Sequence, residues 1–444
     1  MAADRAGPGP ITHARVLKIA LPIALSNATI PILGAVDTGV VGQLGQAAPI
    51  GAVGMGAVIL ASVYWIFGFL RMGTSGLVAQ ARGAGDAPEG GAILIRALII
   101  AALAGLAMIA LQGGLVWAAF RIAPASAEVE GLARQYIAVR IWGAPATIGL
   151  YAITGWLIAA ERTRSVLLVQ LWLNGLNVGL DLWFVLGLGW GVPGVAVATL
   201  IAEWTGLGLG LWLCRDAFAG GAWQDWRRVF DAARLREMGR VNGNIMVRSV
   251  LLQASFTSFI FLGAGQGDVT LAANQVLMQF LEITAYALDG FAFAAEALVG
   301  QAVGARLRAQ VRQAAVMSSQ WGVAGAVVLA AAFWFGGPAV IDTMARDPAV
   351  REAARLYLPW VALGPLIGIA SWMFDGIFIG ATLTREMRNA MVLSVAVYGA
   401  ALALLLPAFG NHGLWAALMV LNTARALTMA AFYRRVEAKA GLPA

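Results

Sequence analysis

Apolar residues run through this chain in long blocks separated by short polar punctuation, not at the alternating periods of a water-facing helix or strand. Stretches without any charged residue cover 38–70, 97–120, 141–160, 182–202, 249–267, 313–341, 356–374 and 389–424. A helix that crosses a bilayer needs about 20 mostly apolar residues, so several of these blocks are long enough for two. Turn signals divide them: GQLGQAAP at 42–49, GLGWGVPG at 187–194 and FGNHG at 409–413. The pattern predicts twelve spans, over 14–42, 48–72, 92–119, 132–159, 164–187, 194–214, 238–263, 269–301, 309–335, 353–380, 389–408 and 413–434.

Composition agrees with this reading. Of 444 residues 60% are apolar and only 12% charged, with a mean hydropathy of +0.78. A soluble chain carries about 25% charged residues, so a soluble enzyme is excluded. The single cysteine, Cys214, rules out a disulfide framework and a cysteine metal site, and His13 and His412 make no zinc motif. No cofactor is expected. The first apolar block is too long for a signal-peptide core and is expected to remain as the first span.

The net charge of +7 comes from basic residues concentrated in alternate loops. With both ends inside, 22 Arg and Lys fall in cytoplasmic loops and tails against six outside, which are Arg121, Arg134, Arg140, Arg346, Arg351 and Arg355. By the positive-inside rule both termini are cytoplasmic, in an inner membrane. The basic excess therefore calls for no nucleic-acid partner.

The second half repeats the first at an offset near 221. LVAQARGA at 77–84 matches LVGQAVGA at 298–305 in six of eight positions. TGWLIAAERTR at 154–164 aligns with DGIFIGATLTR at 375–385, and GVPGVAVA at 191–198 with GNHGLWAA at 410–417. An even number of spans per repeat preserves orientation, so the two halves are related by an axis along the membrane normal. The expected fold is all-α and integral to the membrane, with twelve transmembrane helices in two pseudo-twofold six-helix lobes, residues 1–220 and 221–444. The joint at about 215–237 reads as an amphipathic surface segment.

An acid at mid-bilayer costs about 2.5–3.5 kcal/mol on insertion scales, so each one inside a span is a functional candidate. In the first half these are Asp37, Asp181 and Glu203. Asn177 lies four residues before Asp181, and Thr199 four before Glu203, each pair on one helix face. In the second half Glu282, Asp289 and Glu296 repeat every seven residues and form one stripe, with Asp375 and Arg248 as further interior charges. The stripe either lines a cavity or supplies a structural partner for Arg248. At the repeat offset Asp37 falls on Ser258, Asp375 on Thr154, and the stripe on Ala61, Gly68 and Ser75; Asp181 falls on Ala400. The lobes share a scaffold but not their ionisable groups.

These segments, among them LKIALPIALSNATIPILGAVDTGVVGQLG, LNVGLDLWFVLGLG and DGIFIGATLTREMRN, resemble the multidrug and toxic compound extrusion (MATE) family, and within it the DinF-type branch. The resemblance spans nearly the whole chain. It implies a V-shaped antiporter that exports amphipathic, often cationic small molecules in exchange for H⁺ or Na⁺, sufficient as a monomer. It further implies that Asp37, Asn177, Asp181 and Thr199 form the ion-sensitive site, and that Pro22 bends the first span. One departure is that the seventh span (NIMVRSVLLQASFTSF) lacks the glutamate of the NorM-type cation site. That favours H⁺ at the first lobe, with Na⁺ at Asp37 and Asp181 as the alternative.

Three rivals fit less well. A flippase for a lipid-linked sugar needs a strongly basic cavity, whereas interior acids outnumber Arg248 and Arg425. An intramembrane enzyme would carry a His cluster, a Ser–Lys pair or several Asp around a metal. A channel ordinarily gains its pore from subunit symmetry, not from an unequal duplication.

Overall fold

The computed structural model describes residues 9–43, 45–219, 221 and 224–441. Arg5, counted above among the cytoplasmic basic residues, and Gly220, at the expected lobe boundary, lie outside the described residues. The helices in chain order are α1 His13–Ala28, α2 Ile30–Gly42, α3 Ala47–Ile66, α4 Phe69–Gly83, α5 Ala87–Ala110, α6 Gln112–Ile122, α7 Ala127–Arg140 and α8 Ala144–Ala159. They continue with α9 Thr163–Asp181, α10 Gly191–Leu213, the short α11 Trp226–Val229, α12 Ala232–Ala264, α13 Asp268–Gly304, α14 Arg308–Met344, α15 Pro348–Gly380 and α16 Thr384–Lys439. The described residues contain no strand.

Among the described residues ten stretches are long and apolar enough to cross a membrane. One of them, α16, is two helices joined at a kink where Gly410 takes φ +54° and ψ −131°. The first span is itself broken at Thr29 into α1 and α2, whose next turn begins with Pro31. Counting these as the sequence divides them recovers the twelve expected spans. Several reach further than their charge-free cores, α13 and α14 to 37 residues each.

Capping follows local chemistry. Asp86 accepts from the amide of Glu89 at 3.1 Å to start α5, and Ser126 accepts from that of Val129 at 3.4 Å to start α7. The joint before α12 is held from below: the buried Arg96 guanidinium donates to Val229 O (2.8 Å), Arg228 O (2.5 Å) and Glu89 Oε1 (2.7 Å). Arg96, one of the 22 basic residues that the loop tally places on the cytoplasmic side, is instead a buried anchor within α5.

The repeat is visible in the backbone. Gly85 and Arg306, 221 residues apart, both take left-handed φ (+73° and +59°), as do Glu161 and Thr382 (+57° and +50°). The turns after α8 and α15 close with the same bond back across five residues, Arg162 N to Leu157 O at 2.8 Å and Leu383 N to Phe378 O at 2.9 Å. A Cβ at Gly155 would strike the carbonyl oxygen of Arg71, and one at the equivalent Gly376 would strike that of Ala292, again the equivalent residue. Helices in lipid gain by such close approach of backbones over small residues.

By packing the chain divides into two compact units. One holds the described residues up to Ala24, Ala79–Gly85 and those from Met238 on; the other holds Leu25–Val78 and Asp86–Glu237. Inside the first unit, Gly83 lies against the carbonyl of Gln301, and Gly304 against that of Gln80. Since 83 pairs with 304 and 80 with 301 in the repeat, this is the reciprocal contact that a two-fold axis generates.

Val at Gly376 or Gly155 is expected to abolish the monodisperse protein or lower its melting temperature sharply, since overpacking costs about 1–3 kcal/mol even where side chains yield, and here backbone would have to. Ala at Gly175 or Gly208, where a Cβ meets nothing within 4 Å, should leave the melting temperature nearly unchanged. Equal effects at both classes of glycine would contradict the packing.

Candidate functional site

The unit that contains α2, α9 and α10 buries a cluster of four polar side chains. Asp37 comes from α2, Asn177 and Asp181 from the last turns of α9, and Thr199 from α10; all are buried, Asp181 completely. The i to i+4 spacing in α9 puts the amide and the carboxyl on one face. Immediately after Asp181 the chain winds into a π-helical turn, Leu182–Gly187, a local irregularity that often accompanies functional sites.

Hydrogen bonding fixes how these groups face. With its nitrogen toward the acids, the Asn177 amide donates to Asp37 Oδ1 at 3.0 Å and to Asp181 Oδ2 at 3.1 Å, while its oxygen accepts from Thr199 Oγ1 at 3.0 Å. Thr199 Oγ1 also lies 3.0 Å from Val195 O, so its one proton has two acceptors. One amide nitrogen thus lies within 3.1 Å of an oxygen of each acid, which brings the two carboxyl groups close together, and among the described residues Asp181 Oδ1 has no hydrogen-bond partner. Two carboxyl groups brought together in an apolar bundle repel each other while both are charged, so the arrangement is suited to taking up a proton or a cation.

Glu203, one turn after Thr199, has another role. Its Oε2 accepts from Arg140 Nη1 at 2.6 Å in a buried ion pair. Arg140 was expected outside, as a loop charge, and this is a correction: it closes α7 inside the bundle, one turn after the buried Tyr136. Arg140 and Glu203 both act electrostatically on Asp37.

The other unit has a different charged centre. Asp375 Oδ2 accepts from both Arg248 and Arg425, the latter at 2.6 Å, and Arg425 also donates to Asn422 Oδ1 at 3.1 Å. Met387, Met391 and Met429 close around the three charges. The two units place their charges at non-equivalent positions: at the counterpart of Asp37, Ser258 is hydrogen-bonded to Tyr398 at 3.1 Å.

The MatE family model matches residues 22–183 and 245–405, once in each repeat. Over 427 residues the chain is 37% identical to DNA damage-inducible protein F of Escherichia coli (strain K12), covering 94% of this chain and 91% of that protein. The chain belongs to the MatE family. A MatE relative in Arabidopsis thaliana, Protein DETOXIFICATION 44, chloroplastic, is 25% identical over 422 residues, 92% of this chain and 80% of its own. The fold matches that of an outward-facing multidrug resistance MATE family transporter of the MOP superfamily, with a TM-score of 0.86 at 19% identity over 96% of each chain. It also matches a Vibrio cholerae MATE transporter in the bent form, with a TM-score of 0.85 at 20% identity over 96% of this chain and 97% of that one. As a MatE protein the chain is a multi-pass membrane transporter and not an enzyme.

The remaining candidates separate in this MatE chain. Pro22 is inside α1, two residues before the point where that helix passes between units at Ala24. The seven-residue stripe of α13 does not share one environment: Glu282 is exposed, Asp289 half-buried and Glu296 fully buried. Glu296 sits where α13 crosses α15, its carbonyl oxygen against Gly380. Arg248 pairs with Asp375 on α15. Two buried, ion-paired arginines, Arg140 and Arg425, were not among the sequence candidates. Their signal was present, since both fall inside predicted spans, and a charge inside a span demands a partner.

Asp375→Asn would leave two buried guanidinium groups facing a neutral amide. Breaking a buried ion pair costs about 3–5 kcal/mol, so the purified variant should melt many degrees below wild type. Glu282→Gln, at an exposed position, should melt within a degree or two of it. A wild-type melting temperature for Asp375→Asn would show that the clamp contributes nothing to the fold.

Proposed function

We propose that the protein is a proton-coupled antiporter that exports amphipathic, cationic small molecules, with Asp37 and Asp181 as the carriers of the exchanged proton. The observation that carries this reading is the buried Asp37–Asn177–Asp181–Thr199 cluster, in which two carboxyl groups approach each other with an amide nitrogen as their common donor. The related MATE transporters described as multidrug resistance proteins support efflux of drugs or toxic metabolites as the transport task.

The mechanism follows from charge. When the pair holds its proton it carries one negative charge less, and an apolar surrounding favours that state. A lipophilic cation nearby stabilises the fully ionised pair through water-poor surroundings. Proton and cation therefore oppose each other's binding, and by linkage the opposition is reciprocal. Protons entering from the acidic outer side release the cation there; loss of the proton toward the cytoplasm restores affinity.

The seventh span (NIMVRSVLLQASFTSF) carries no glutamate of the NorM-type cation site, which supports H⁺ at the first lobe over Na⁺. The coupling ion is the only small co-reactant required; no other cofactor enters. The 22-to-6 basic asymmetry becomes 21 to 5 once the buried Arg96 and Arg140 are set aside, and it still supports cytoplasmic termini in an inner membrane. A single chain carries every group the scheme uses, so the transporter acts as a monomer.

In proteoliposomes, Asp37→Asn and Asp181→Asn should each lose dye efflux driven by an imposed pH gradient by at least tenfold while remaining folded. Asn keeps volume and polarity but cannot exchange a proton. Wild-type binding of a lipophilic cation should tighten as pH rises, and Asp181→Asn should flatten that dependence. Efflux driven by a Na⁺ gradient at uniform pH would overturn proton coupling; wild-type pH-driven efflux by Asp37→Asn would overturn the site.

A further inference from the structure

Beyond the ion cluster, the unit that contains α14, α15 and α16 carries a groove of about 680 Å³ among those three helices. Its floor includes Phe374 and Ile377 of α15, and one wall includes Tyr433 of α16. The other wall is a single stripe of α14: Arg312, Val316, Ser319, Gln320 and Val323. These follow the i, i+4, i+7, i+8, i+11 spacing of one helix face and run roughly 16 Å along the axis at 1.5 Å per residue. Val316 and Val323 remain 46% and 48% exposed. In a bundle of membrane spans, an apolar stripe left uncovered along a helix faces lipid.

The ends of the groove differ. Arg312 stands at its mouth, in the second turn of α14, at the end where α15 and α16 finish. Arg306, Arg308, Arg434 and Arg435 lie within a few residues of that same end. The acids there are taken: Glu437 pairs with Arg308 at 3.3 Å and Glu386 with Arg435 at 3.1 Å. Among the described residues Arg312 is within ion-pairing distance of no carboxylate. Two turns further in, Ser319 and Gln320 offer a hydroxyl and an amide before the wall becomes apolar again at Val323.

We infer that this groove holds one anionic phospholipid, its phosphate on Arg312, its ester oxygens near Ser319 and Gln320, and an acyl chain along Val316, Val323 and Phe374. The inference rests on charge complementarity. An anionic head suits a basic mouth, a chain suits an apolar trough open toward the bilayer, and basic pockets between spans on the cytoplasmic side are places where anionic lipids collect. A cationic transport substrate is disfavoured by the same arginine. Phe374 and Ile377 flank Asp375 in sequence, so the lipid would brace the stretch of α15 that carries the Arg248–Asp375–Arg425 clamp.

Native mass spectrometry of the detergent-purified full chain, with phosphatidylglycerol or phosphatidylcholine of identical acyl chains, tests this. Wild type should retain phosphatidylglycerol at least fivefold over phosphatidylcholine, and phosphatidylglycerol should raise its melting temperature. Arg312→Ala should bring the ratio near one and remove the thermal shift, Arg312→Lys should keep most of both, and Ala430→Trp, which fills the groove, should reduce retention of both lipids. Arg121→Ala serves as a remote control for loss of charge. An unchanged ratio in Arg312→Ala, or unchanged retention in Ala430→Trp, would overturn the site. So would displacement of the lipid by ethidium in proportion to its occupancy, which would mark the groove as part of the transport path.

Discussion

Two carboxyl groups buried side by side cannot both hold their charge without a proton or a cation between them, and this constraint organises the unit built on α2, α9 and α10. Everything around Asp37 and Asp181 reads as a response to it. The Asn177 amide gives both acids a donor, and Thr199 orients that amide. A third acid, Glu203 on the Thr199 face of α10, is neutralised by Arg140 and does not add to the excess of negative charge. The result is one site with a variable charge, enclosed by groups whose charges are matched.

The repeat shows how such a site arises on a duplicated scaffold. Close packing is conserved between the halves: Gly155 and Gly376 meet equivalent carbonyls, and Glu161 and Thr382 take the same left-handed turn. These features follow from backbone geometry and tolerate little change. Charge is not duplicated. The counterpart of Asp37 is Ser258, bonded to a tyrosine, and the second unit instead clamps Asp375 between two arginines. A clamped acid in a methionine-walled space is suited to holding helices together; an acid facing another acid is suited to exchanging an ion.

Much of this was legible in the sequence because membrane spans must be long, apolar and nearly free of charge. Spacing alone brought Asn177 together with Asp181 and Thr199 with Glu203 on shared faces, and the structure adds that α2 carries Asp37 to the same place. What spacing could not give was pairing between helices. The seven-residue stripe of α13 looked like one surface, yet helix packing leaves Glu282 exposed and buries Glu296. Counting Arg96 and Arg140 as loop charges failed for the opposite reason: both lie near helix ends in sequence, but a buried carboxylate waits for each, Glu89 and Glu203.

The direct test is proton release on substrate binding. Tetraphenylphosphonium added to the purified transporter in weakly buffered detergent solution, at a pH where the carboxyl pair is protonated, should displace close to one proton per cation bound. Asp37→Asn should bind without releasing any. Saturable binding to the wild type with no proton released would contradict a shared proton between Asp37 and Asp181 as the exchanged ion.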